Sequence, residues 1–248
     1  MTHTLCLASG SLRCEIVPAL GAAVAGLWMD DVPVLRSTSG ARLASVRDAG
    51  SYPLVPFSNR IGNAQLAWNG ISRQLVPNFL PEPHAIHGVG WQRGWRVLEA
   101  QAHFALLAFE HQPDASWPFA FDCSQAFRLS DDALEITLSV TNQSWQVAPF
   151  GLGWHPYFVK RAHSRITFPA AGRWEMGADK LPTHYAAVGG LDADCSSLDV
   201  DHCFEGWSGE VELHDPVLGR TISHSYRVNQ LFDEIAEAYR VPLVTGKL

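Results

Sequence analysis

The chain has 248 residues, of which 47% are hydrophobic and 17% charged, a balance that suits a packed globular core and excludes a disordered polymer. Its formal net charge is −7, and its longest basic cluster is Lys160-Arg161, so a phosphate-tracking nucleic-acid surface is not expected. No apolar run reaches the length of a membrane span. Met1 to Gly10 lacks the basic and apolar regions of a signal peptide, so the expected compartment is the cytoplasm. The five cysteines are scattered and odd in number, which predicts inert thiols rather than a disulfide framework or a zinc site. Nine tryptophans are many for this length. Most must be core, but rigid aromatic plates also suit the apolar face of a sugar ring.

In chain order, Leu12 to Val17 reads as a strand. Pro56-Phe57-Ser58-Asn59-Arg60-Ile61-Gly62 sets an arginine among apolar neighbours, either a solvated strand edge or a fork of donors aimed at sugar hydroxyls or an anionic oxygen. Asn78 to Gly94 is too long and too rich in Pro and Gly for a tight hairpin, and such loops on a sheet scaffold commonly carry binding residues. Within it, His84 and His87 are three apart. On a helix they could share a metal, but Pro81, Pro83 and Gly88 argue against a helix, which favours a polar loop facing a ligand.

Phe104 to Glu110 is a further strand, and Cys123 to Leu129 pairs with Leu134 to Val140 as an antiparallel hairpin through Ser130-Asp131-Asp132. The second arm alternates Leu134, Ile136, Leu138 and Val140 with Glu135, Thr137 and Ser139, the pattern of a strand with one wet face. In Gly151-Leu152-Gly153-Trp154-His155-Pro156-Tyr157-Phe158 the aromatic neighbours of His155 desolvate it. It is then either a core histidine or a proton donor and acceptor working near neutral pH. Arg165 to Phe168 and Gly209 to His214 are short strands, and Asp201 lies in a turn beside aromatic residues, as a turn former or as an acceptor for sugar hydroxyls. From Val228 to Tyr239 apolar residues fall at helical spacing, with Asp233, Glu234 and Glu237 on the polar face. The expected fold is a single all-β domain over residues 1–248, a large antiparallel β-sandwich with a short C-terminal helix.

Asn59-Arg60-Ile61 after Pro-Phe, His87-Gly88 followed by Trp91, Gly153-x-His155-Pro156-Tyr157-Phe158 and Asp201-x-x-Phe204 occur in the order seen in aldose 1-epimerases. From about residue 10 to residue 220 the chain resembles that family. The resemblance implies a β-sandwich of the galactose mutarotase type that interconverts the α and β anomers of free aldohexoses without metal or organic cofactor. It implies that His155 is the general acid protonating the ring oxygen and that His87 hydrogen-bonds the sugar near its anomeric end. Arg60 and Asp201 would then bind hydroxyls, while Asn59 and Trp91 line the cleft. The implied partner is a small monosaccharide, with no nucleic acid or membrane, and the oligomeric state stays open.

The chain departs from the family's pattern at the general base, a glutamate in a Glu-Pro context near the C-terminus. No Glu-Pro follows residue 201; Glu82-Pro83 lies upstream, and Glu234 and Glu237 fall on the polar side of the expected helix. The chain is also shorter than typical members, so its tail is either a variant or lacks the closing strands. Two alternatives follow: a carbohydrate-binding protein of the same fold without turnover, or a relative acting on sugar phosphates with Arg93 and Arg96 as anion ligands.

Overall fold

The computed structural model describes residues 3–225. The expected helix at Val228 to Tyr239, with Glu234 and Glu237, lies outside the described residues. The chain forms two compact units, one ending at Val159 and the other beginning at Lys160. Among the described residues the helical turns are all short 3-10 segments, and no helix is long and apolar enough to cross a membrane.

The first unit is built on two four-stranded antiparallel sheets. One runs β1 (Leu5–Ser9), β2 (Leu12–Val17), β3 (Ala23–Met29) and β4 (Val32–Pro33), each strand beside the next. Short pairs follow in the chain: β5 (Pro53–Leu54), β6 (Arg60–Ile61), β7 (Gln65–Trp68), β8 (Ile71–Gln74) and β9 (Ala85–Ile86). The second sheet is β10 (Arg96–Ala100), β11 (Phe104–His111), β12 (Phe121–Leu129) and β13 (Leu134–Asn142). Inward residues of both sheets share one core: Leu5, Leu7, Cys14 and Ile16 from the first, Leu107, Phe109, Phe121 and Phe127 from the second. Each such side chain taken out of water contributes about 1.5–3 kcal/mol, so the packed sheets form a stiff platform for the loops between them.

The β12–β13 hairpin has the register expected from its alternation, from Phe121 opposite Asn142 to Leu129 opposite Leu134. Leu134, Ile136, Leu138 and Val140 are half-buried while Glu135, Thr137 and Ser139 are exposed. Ser130 closes the turn, its amide donating to the Ala133 carbonyl at 2.8 Å. Trp28, Trp91, Trp95 and Trp117 are buried, whereas Trp145, in the polar turn after β13, is 94% exposed.

A last short strand of this unit, β14 (Gly153–Trp154), pairs with β5. The second unit holds β15 (Arg165–Phe168), β16 (Gly172–Met176), β17 (Pro182–Ala187), β18 (Leu191–Asp194), β19 (Cys203–Glu205), β20 (Glu210–Asp215) and β21 (Arg220–Ser225). They form sheets of order β18-β15-β20-β21 and β17-β16-β19. Phe168 meets Phe204 edge to face, with ring centroids 4.9 Å apart. Arg161 pairs with Asp215, which is 1% exposed and also caps the amides of Val217 and Leu218. All five cysteines are free thiols, Cys6 exposed and Cys14, Cys123, Cys195 and Cys203 buried.

Candidate active site

Three segments of the first unit, around residues 52–61, 85–92 and 151–157, are laced together by main-chain bonds. β5 pairs with β14, placing Leu54 opposite Gly153, and β6 pairs with β9, placing Arg60 opposite Ile86. Val55 bridges Gly88, and its carbonyl accepts from the amides of Val89 and Gly90 at 2.9 and 3.0 Å. Gly88 has φ +68°, and a Cβ there would lie 2.2 Å from the Val55 oxygen, so this crossing requires glycine. The long loop before it is pinned by Asn78, whose side chain donates to the carbonyls of Ile86 and Gly88 and accepts from the Ile86 amide.

This lacing brings His87 and His155 together. Their ring centroids are 5.3 Å apart and nearly perpendicular, and the residues are 6% and 7% exposed. The Asn59 amide donates to His87 Nδ1 at 3.1 Å. Burial, then electrostatic coupling to His155 and Arg60, holds the His87 ring well below the usual histidine range. His87 is therefore a neutral ring whose hydrogen sits on Nε2, a hydrogen-bond donor rather than an acid. His84 is 1% exposed and accepts from the Asn63 amide at its Nδ1, so both loop histidines use that nitrogen to hold main chain.

Aromatic rings surround the pair. His155 stacks on Tyr157 at 4.5 Å and lies 5.1 Å from Tyr52, while its amide donates to the Tyr52 carbonyl. Tyr52 in turn stacks on Trp91 at 5.6 Å. The two tyrosine hydroxyls meet at 3.1 Å, and burial followed by that bond pushes the Tyr52 phenol far above its ordinary value. Trp91 is 4% exposed, and its indole donates to the carbonyls of Ile86 and Gly88. Arg36 covers the outer face of Tyr157, 3.9 Å from the ring centroid, and its guanidinium donates to the Ala49 carbonyl.

Arg60 presents its fork to Glu82, Nε to Oε2 at 2.8 Å and Nη2 to Oε1 at 3.2 Å. Arg93 pairs with Asp114 and Arg96 with Glu110. Asn59, Arg60, His87, Trp91 and His155 thus all belong to the laced segments of the first unit. Asp201 lies in the second unit, half-buried, just before β19; its neighbour His202 contacts Glu175 at 3.1 Å.

Sequence reasoning missed Tyr52 and Glu82. Tyr52 touches His87, His155, Trp91 and Tyr157, yet nothing in Ser51-Tyr52-Pro53 signals it without the tertiary pairing. Glu82 had a signal, the Glu-Pro dipeptide, but no indication of its partner.

The family model described as Aldose 1-epimerase matches residues 3–232. The uncharacterized protein YphB of Escherichia coli (strain K12) is 34% identical over 222 residues, spanning 87% of this chain and 74% of that protein. The crystal structure of a candidate aldose 1-epimerase from Escherichia coli K12 superposes with a TM-score of 0.81 at 33% identity, covering 89% of this chain and 76% of the other. A galactose mutarotase-like protein from Clostridium acetobutylicum shares the fold, with a TM-score of 0.71 at 20% identity over 86% of this chain and 74% of that one. With its all-β, galactose mutarotase-like architecture, the chain belongs to the aldose 1-epimerase family.

Proposed function

We propose that this protein is an isomerase that interconverts the α and β anomers of a neutral aldohexose in the cytoplasm by general acid–base catalysis. The observation that carries this reading is the pair of buried imidazoles, His87 and His155, held 5.3 Å apart among aromatic rings. Mutarotation opens a hemiacetal: a proton leaves O1, another reaches the ring oxygen, and the ring recloses on the other face of the aldehyde. His155 is the acid for the ring oxygen, and the Nε2 hydrogen of neutral His87 steadies the sugar near its anomeric end. Arg60 and Asn59 bind hydroxyls, and Trp91 supports the wall. Asp201 enters as a hydroxyl ligand through the resemblance alone. Each proton transfer contributes about 10² to 10⁴ in rate.

The proton leaving O1 needs an acceptor, and the carboxylate attached to this cluster, Glu82, is engaged by Arg60. That engagement favours a second reading, sugar binding without turnover. Polarimetry of freshly dissolved α-galactose and α-glucose separates the two. Equilibration faster than buffer, lost in His155→Asn, supports the isomerase. A buffer-like rate with calorimetric sugar binding supports the binding protein, and neither signal from folded protein refutes both.

A further inference from the structure

Arg60 is the cation of the laced segments named as a sugar ligand, and its charge is already answered. Glu82 grips it at two points along one edge, with side chains only 14% and 26% exposed. A two-point carboxylate clasp occupies the Nε edge of the guanidinium and fixes its plane. The Nη1 hydrogens and the second Nη2 hydrogen remain to serve uncharged hydroxyls. A guanidinium in this setting without a counter-ion would be an anion site, drawing a phosphate or carboxylate as readily as a hydroxyl. With Glu82 in place, an incoming anion meets a carboxylate beside the fork, in surroundings where screening by solvent is reduced. Two further arginines, Arg93 and Arg96, also face carboxylates, Asp114 and Glu110, in more exposed pairs.

We propose that Glu82 is a specificity-determining residue: by clasping and neutralising Arg60 it restricts the site to neutral aldoses and turns away sugar phosphates and sugar acids. This rests on the aldose reading above. It also predicts two separable roles, one for the charge of Glu82 and one for its reach.

The test is calorimetric binding of galactose, glucose and their 6-phosphates, at low ionic strength, to the full chain and three variants. Glu82→Gln keeps one acceptor for Arg60 and removes the charge. Its preference for phosphate over neutral sugar is expected to rise about tenfold relative to the parent, and the gain should shrink in 0.5 M salt, where the Debye length is only about 4 Å. Glu82→Asp keeps the charge and shortens the reach, so neutral-sugar affinity falls while discrimination holds. Glu110→Gln removes an equal charge from the Arg96 pair and should leave the preference unchanged. An unaltered preference in Glu82→Gln, or the same change in Glu110→Gln, overturns the proposal. If Glu82→Gln does not fold, loss of discrimination in Glu82→Asp overturns it. Folded parent protein that binds none of the four sugars refutes the aldose reading itself, and this inference with it.

Discussion

Asn59 and His87 hold each other reciprocally: the Asn59 amide donates to the side-chain Nδ1 of His87 at 3.1 Å, and the His87 amide donates to the Asn59 carbonyl at 2.9 Å. Both residues sit in the left-handed region, with φ +60° and +61°. Asparagine and histidine are among the few non-glycine residues that enter this region at modest cost. The reciprocal bond fixes the tautomer of His87 and turns its Nε2 away from the backbone. The conformation costs about 1–3 kcal/mol per residue in such settings, which the two bonds and the surrounding core offset.

Stability is expected to fall with acidification in a defined window. His87 and His111 are both buried with pKa values below the histidine norm, burial being the largest cause in each. The unfolded chain then takes up protons near pH 6.5 while the folded chain does not. Stability from these groups is flat above that pH and lost below it, at up to about 1.4 kcal/mol per pH unit for each ring. Melting temperatures measured between pH 8 and pH 5 check this, before most carboxylates titrate. His87→Asn, which retains an acceptor for the Asn59 amide, should show a shallower slope.

Gly88→Ala is expected to destabilise the protein by about 2–4 kcal/mol, combining a positive φ with a collision against the main chain of Val55. Gly70 provides the comparison, since its φ is +73° but nothing lies within 4 Å of an added Cβ. Gly70→Ala should cost only about 1 kcal/mol, the conformational part. Urea denaturation of the two variants measures the difference, and equal costs would mean that the Val55 crossing is looser than described.

Arg36 is expected to act on His155 through Tyr157. Its guanidinium covers the face of Tyr157 opposite the imidazole and ties the Ala49 carbonyl to the same stack. Arg36→Met removes the donors while keeping the length, and should lower stability by about 1–3 kcal/mol. Polarimetric kcat should drop about tenfold with KM changed less, because the acid is displaced rather than the sugar ligands. Arg36→Lys keeps the cation but not the fork and should fall between the two.

Strands were legible where alternation is local. Leu12 to Val17 and Arg165 to Phe168 have the bounds that their sequence patterns suggest, Phe104 to Glu110 stops one residue short of the observed strand, and Gly209 to His214 is shifted from it by one residue at both ends. The aromatic setting of His155 was equally legible, since Trp154, Tyr157 and Phe158 flank it in the chain. Contacts between distant residues were not. Tyr52 reaches His155 because β5 pairs with β14 across about a hundred residues, and Glu82 finds Arg60 because β6 pairs with β9. Neither pairing has a sequence period to announce it, for each strand is two residues long. The junction between Val159 and Lys160 likewise lacks a Pro, Gly or Ser signature.

The distribution of thiols gives the molecule its own clock for local opening. A reagent meets only Cys6 on the folded surface, while burial pushes Cys14 up to about 12 and keeps Cys123 from ionising. Alkylation of Cys14 or Cys123 therefore marks loosening of the first unit, and alkylation of Cys195 or Cys203 marks loosening of the second. Peptide mapping after a timed pulse would read the two breathing rates separately from one sample.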